Sequence, residues 1–99
     1  MANLSEILGN ERRMLAVTYL LKNDGHGSVS DITEYICEKS NNTSGKFRKS
    51  VYVSLMQTHI PTLERAGLVE RERDEVFIVN SKLFEDLLSF LESFGSVFR

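Results

Sequence analysis

The stretch from Lys46 to Val79, KFRKSVYVSLMQTHIPTLERAGLVERERDEVFIV, constrains the fold more than any other part of this chain. It reads as a long helix over about 46–66, closed by Gly67, then two short strands, Leu68–Arg71 and Val76–Val79. Arg73 and Asp74 lie near the turn between the strands, which makes a compact charged hairpin. Pro61 lacks a backbone N–H and crowds the turn before it, so the helix is expected to kink or restart there.

The helix carries two stripes. Tyr52, Leu55, Met56, His59, Ile60 and Leu63 recur at the spacing of a buried face. Ser50, Ser54, Gln57, Thr58, Pro61 and Arg65 form the opposite stripe, which is small, polar and free of carboxylates.

Upstream, Leu4, Ile7 and Leu8 form a short apolar lead-in expected to cap the core. Asn10 then stands as the N-cap of a first long helix with Glu11 in its first turn. Met14, Leu15, Val17, Tyr19, Leu20 and Leu21 supply its apolar stripe, and Asn23-Asp24-Gly25 ends it. Val29 is expected to pair as a one- or two-residue strand. A second helix follows from Ser30 or Asp31, where Asp31 and Glu34 have capping-box spacing. Ser40–Gly45 holds no apolar residue and reads as a loop. From Asn80 or Ser81 the chain becomes helical again, and bulky apolar residues wrap more than half of that last helix.

The fold class implied is mainly α with a small β-hairpin (α+β). One domain spans 1–80, and a C-terminal helix over 81–99 is expected to be a pairing element. With 41% apolar and 26% charged residues, the 99-residue chain is ordinary for a soluble globular domain. It has no apolar run of bilayer length and no secretory start, and its single Cys37 cannot form an internal disulfide. A cytoplasmic, reducing location is therefore expected, with no membrane partner.

The net charge of −2 hides a segregated distribution. No Asp or Glu occurs between Glu38 and Glu64. Residues 44–73 carry six cations against three carboxylates, a local +3 that leaves −5 elsewhere. Such segregation gives one face an attractive field for an anionic partner. His26, His59 and Cys37 lack the paired spacing of metal ligands, so no metal or other cofactor is expected. His59 reads as a packing residue with a hydrogen bond, Cys37 as a small residue beside a buried face, and the three tyrosines as core-edge aromatics. No nucleophile–base pair, Gly-rich phosphate loop or carboxylate pair appears, so catalysis is not expected, and no small-molecule ligand is evident.

The run Gln57–Val69, QTHIPTLERAGLV, resembles the end of the recognition helix and the approach to the wing in archaeal and bacterial winged-helix regulators. Asn10-Glu-Arg-Arg13, together with Val51–Pro61, is similar to a winged-helix family of unassigned targets abundant in halophilic archaea and their viruses. The likeness covers about residues 4–80 and implies a winged helix-turn-helix regulator of transcription with no catalytic residues. Halophile members are more acidic than this chain, so a methanogen, another archaeon or a virus is an equally open source.

On that reading the 46–66 helix enters the major groove of duplex DNA and the 68–79 hairpin is the wing. Ser54, Gln57 and Thr58 are expected to read base edges, where Gln can pair with adenine and Ser or Thr with several bases. Lys46, Arg48, Lys49 and Ser50 are expected to hold phosphates, as are Arg71 and Arg73 on the wing. Leu83, Leu87, Phe90, Leu91, Phe94 and Phe98 would be shared between the core and a second copy in a homodimer, or else cover the first helix alone. The competing expectation is a winged-helix protein–protein contact module in a transcription or replication assembly. The wing's Glu70, Glu72, Asp74 and Glu75 favour it, because they oppose the approach of phosphate.

Overall fold

The computed structural model describes residues 9–93, apart from the side chains of Ser81, Phe90 and Leu91. The Leu4, Ile7 and Leu8 lead-in lies outside them. Helix α1 spans Glu11–Lys22 and starts at Asn10, whose side chain accepts from Arg13 N at 3.1 Å. Ala16, Val17, Leu20 and Leu21 bury its inner face. It ends where Asp24 (φ 59°) and Gly25 (φ 87°) turn left-handed, and Gly25 N donates to Leu20 O at 2.7 Å.

Strand β1 is His26–Ser28, and α2 runs Val29–Lys39. Two expectations are corrected here. The cap of α2 is Ser28, whose Oγ accepts from Asp31 N at 3.0 Å, so Asp31 lies in the first turn instead of capping it. Val29 is consequently helical, although its N–H still reaches across to Asp74 O at 2.8 Å. A hydroxyl one residue before the apolar run competes better for the free amides than a carboxylate already inside the helix.

Helix α3 spans Gly45–Ser54, capped by Ser44 Oγ on Phe47 N at 3.2 Å. It passes into a π-helical turn over Leu55–His59 and then α4 over Ile60–Arg65. The wide turn closes with Ile60 N donating to Leu55 O. Pro61 explains its place. In α geometry the proline ring would crowd the carbonyl of Gln57 and offer it no N–H, and one extra residue in the turn relieves that clash.

The buried positions of this long element are Val51, Leu55, His59 and Leu63, each four residues from the last, with Ile60 beside them. Tyr52 was expected inside, but it is 36% exposed, and Val51 takes the core position. A strict spacing of four drifts around an ideal 3.6-residue helix, and the π turn absorbs the drift.

Strands β2 (Val69–Glu72) and β3 (Glu75–Ile78) make the hairpin, with Arg73 at φ 56° in its two-residue turn. All pairing is antiparallel in the order β1-β3-β2, with His26↔Phe77 and Val69↔Ile78 in register. Helix α5, Ser81–Glu92, begins where Asn80 Oδ1 accepts from Leu83 N at 3.0 Å. Leu87 is wholly buried and joins the common core, with Leu83 and Phe84 packed against it. The architecture is thus α+β, mainly helical, with one small antiparallel sheet. Among the described residues no helix is long and apolar enough to cross a membrane.

Candidate nucleic-acid interface

The outward face of α3 continues into the π turn. Lys46, Lys49, Ser50, Val53, Gln57 and Thr58 are all exposed along it. Lys46, Lys49 or Ser50, Val53 and Gln57 follow one another at intervals of three or four, which places them on one side of the helix. No carboxylate stands on α3, the π turn or the first turn of α4, so Lys46 and Lys49 meet no carboxylate within the element itself.

Three residues expected to contact a nucleic acid are instead held by their own chain. Ser54 is half-buried: its Oγ donates to Val51 O at 2.9 Å and accepts from Arg12 Nη1 at 2.9 Å. That uses its donor and one acceptor lone pair, so its hydroxyl is not a free reader of bases. Arg48 forms a two-armed ion pair with Glu34 of α2, with Nη2 and Oε2 3.2 Å apart. Hydrogen bonding to Glu34 and its charge raise the guanidinium's pKa further. Arg71 folds back over the hairpin, and its Nη1 donates to the carbonyl of Arg73.

Arg12 is the residue that sequence reasoning missed. It projects from α1 to α3, where its guanidinium lies 5.4 Å from the Phe47 ring centre while it holds Ser54. Its neighbour Arg13 brings Nη1 to 3.5 Å from Nδ1 of His59. His59 is only 7% exposed. Burial pushes its imidazole below the ordinary histidine range, and the Arg13 and Arg12 cations push it the same way. The neutral ring with its proton on Nε2 can accept from Arg13, as the sequence expectation of a hydrogen-bonded packing histidine requires. Cys37 is likewise buried as a free thiol.

The hairpin presents a different charge. Arg71 and Arg73 are exposed, and so are Glu70, Glu72, Asp74 and Glu75, which gives the hairpin a net charge of −2. Glu72 and Glu75 are directly paired across the strands, an arrangement that like charges disfavour. His26 Nδ1 stands 3.7 Å from Glu75 Oε2 and offsets part of this when protonated.

On α5 the expected pairing face divides. Leu87 belongs to the chain's own core, because it is completely buried within a single copy. Leu83 and Leu88 are half-buried, while the side chains of Phe90 and Leu91 and all of Phe94 and Phe98 lie outside the described residues. Among the described residues no cluster of three His, Cys, Asp or Glu is placed to hold a metal ion.

The chain belongs to the family described as Domain of unknown function (DUF7344), which matches residues 5–79. The match therefore covers α1 through β3 and stops short of α5. No curated protein matches the chain, and no solved structure does.

Proposed function

We propose that the chain is a winged helix-turn-helix domain that binds duplex DNA and regulates transcription, with α3 and the π turn in the major groove. The observation that carries this reading is the exposed, carboxylate-free face from Lys46 to Thr58. The order of elements supports it: α2, a five-residue link, a long exposed helix, then a hairpin whose outer strand β2 is at the sheet edge. Lys46, Lys49 and Ser50 supply phosphate contacts, and Gln57 and Thr58 read bases. Pairing of two copies through α5 belongs to the same reading, without Leu87, which the chain's own core takes up.

The test is fluorescence anisotropy of a labelled mixed-sequence duplex at several salt concentrations. Affinity should fall with salt at a slope of about −0.9 per phosphate neutralised. Changing Lys46 and Lys49 together to Ala should flatten that slope by about two such contacts. An unchanged slope in the double variant would remove α3 from the interface. No binding at low salt would end the DNA reading.

One observation favours a second reading, a module for protein contact in a transcription or replication assembly. The wing's four exposed carboxylates repel phosphate and suit a basic partner surface.

A further inference from the structure

Val53 is the next-to-last residue of α3, on the exposed face that runs from Lys46 to Thr58, and it is 38% exposed. Its neighbours on that side are polar or cationic: Lys46, Lys49, Ser50 and Gln57. A branched apolar side chain gains nothing from water there, and it is not needed by the core, which takes Val51 and Leu55. Ser54, the next residue, is tied to Arg12 and to its own backbone. The helix therefore offers a potential groove partner a methyl-bearing surface at Val53 and an amide at Gln57.

We propose that this pair makes the domain selective for A·T base pairs: Val53 packs on the C5-methyl of a thymine and Gln57 pairs with an adenine close by. The inference rests on the DNA-binding reading above. The thymine methyl is the apolar feature that the major groove presents, and Gln matches the N6 and N7 edge of adenine. Val53 and Gln57 are four residues apart, about 6 Å along a regular α-helix and somewhat less where the π turn begins at Leu55. Two base-pair rises come to roughly 7 Å, so the two contacts fall within two base steps of each other. Lys49 and Lys46, one and two turns before Val53, then lie toward the phosphate wall, where they fix the register without choosing the sequence.

The experiment uses three labelled duplexes of one length: a mixed A·T duplex, the same duplex with uracil for every thymine, and a G·C duplex. Uracil keeps the pairing edge and deletes only the methyl. The wild-type chain should bind the thymine duplex about three- to five-fold more tightly than the uracil one, as loss of one buried methyl implies. It should bind the G·C duplex more weakly than either.

Val53→Ala should bring the thymine-to-uracil ratio to one while keeping the salt dependence. Val53→Thr, which retains a methyl at the same branch, should restore most of the ratio. Gln57→Ala should erase the advantage of the uracil duplex over the G·C duplex.

Salt-dependent binding of all three duplexes with equal affinity would overturn this inference and leave the DNA-binding reading standing. A thymine preference that survives in Val53→Ala would overturn it too. Absence of binding to every duplex at low salt would overturn both.

Discussion

Arg12 and Ser54 are joined by a hydrogen bond of 2.9 Å that ties the first turn of α1 to the last residue of α3. The same guanidinium covers the face of Phe47, so one side chain holds two positions of the long helix. This contact makes Ser54 a fixing point for the helix and leaves the exposed side to Val53 and Gln57.

Ser54→Ala should therefore act on stability and, on the proposed DNA-binding reading, leave selectivity in place. Loss of one side-chain hydrogen bond of this kind costs about 1 kcal/mol, readable as a lower urea midpoint. Affinity for an A·T duplex should change less than in Gln57→Ala. The reverse ranking would return Ser54 to the base-reading set.

Glu34 restrains Arg48 through their paired contact across α2 and α3. On the proposed DNA-binding reading, Glu34→Gln should free the guanidinium for phosphate and raise affinity for any duplex by about two- to five-fold, the scale of an exposed ion pair. The fold should lose little from the same change, because the pair is exposed to solvent. Titrating both proteins with one mixed duplex decides the matter, and lower affinity in the variant would show that the ion pair itself is needed at the interface.

Gly27 permits the close approach of β1 to α1. A methyl placed on it would stand 2.6 Å from Tyr19 Cε2, well inside contact distance. The ring also packs against Tyr35, with ring centres 5.4 Å apart, so a shift of Tyr19 disturbs that contact. Gly27→Ala should destabilise the fold by about 1–3 kcal/mol, the usual cost of overpacking. In a Tyr19→Leu background the penalty should shrink. Equal penalties in both backgrounds, measured as a double-mutant cycle in urea, would remove Tyr19 as the cause.

His59 gives the fold a dependence on mild acid. Burial, then Arg13 and Arg12, hold its folded pKa below the unfolded one. At neutral pH both states carry the neutral ring and nothing is gained or lost. As pH falls below ~6.5 the unfolded chain takes up a proton that the folded chain refuses. Stability thus drops through that window and levels off once the folded ring is protonated too. His59→Gln should flatten this slope between neutral and mildly acid pH. A wild-type stability that is constant there, or an unchanged slope in the variant, would contradict the assignment.

Much of the fold can be read from local signals. Asn10 before Glu11, the polar break at Ser40–Ser44 and Gly67 before the hairpin each act over a few residues, and the elements start and stop where these residues say. What escaped the sequence depended on geometry that a uniform helical period does not carry. The π turn shifts the phase between residues 51 and 63, so a 3.6-residue wheel puts Tyr52 inside and Ser54 at the centre of the outer stripe. A repeat of four through Val51, Leu55, His59 and Leu63, with Pro61 inside its last interval, was the available sign of a wider turn. Arg12 and Glu34 were invisible for another reason. Each meets the long helix across tertiary contacts, forty-two and fourteen residues away in the chain, which no spacing rule reaches.

The sheet order β1-β3-β2 has a consequence for how the chain is made. β3 is the strand that touches both others, and it is the last of the three to leave the ribosome. Until residues 75–78 emerge, β1 has no partner and the core lacks Val76. All the helices before the hairpin can be synthesised and still find no sheet to close against. Pairings this distant in sequence form late, because the loop they close is long. A nascent chain halted before Glu75 should accordingly stay sensitive to protease along α1 and α2, and resistance should arrive in one step with the release of β3.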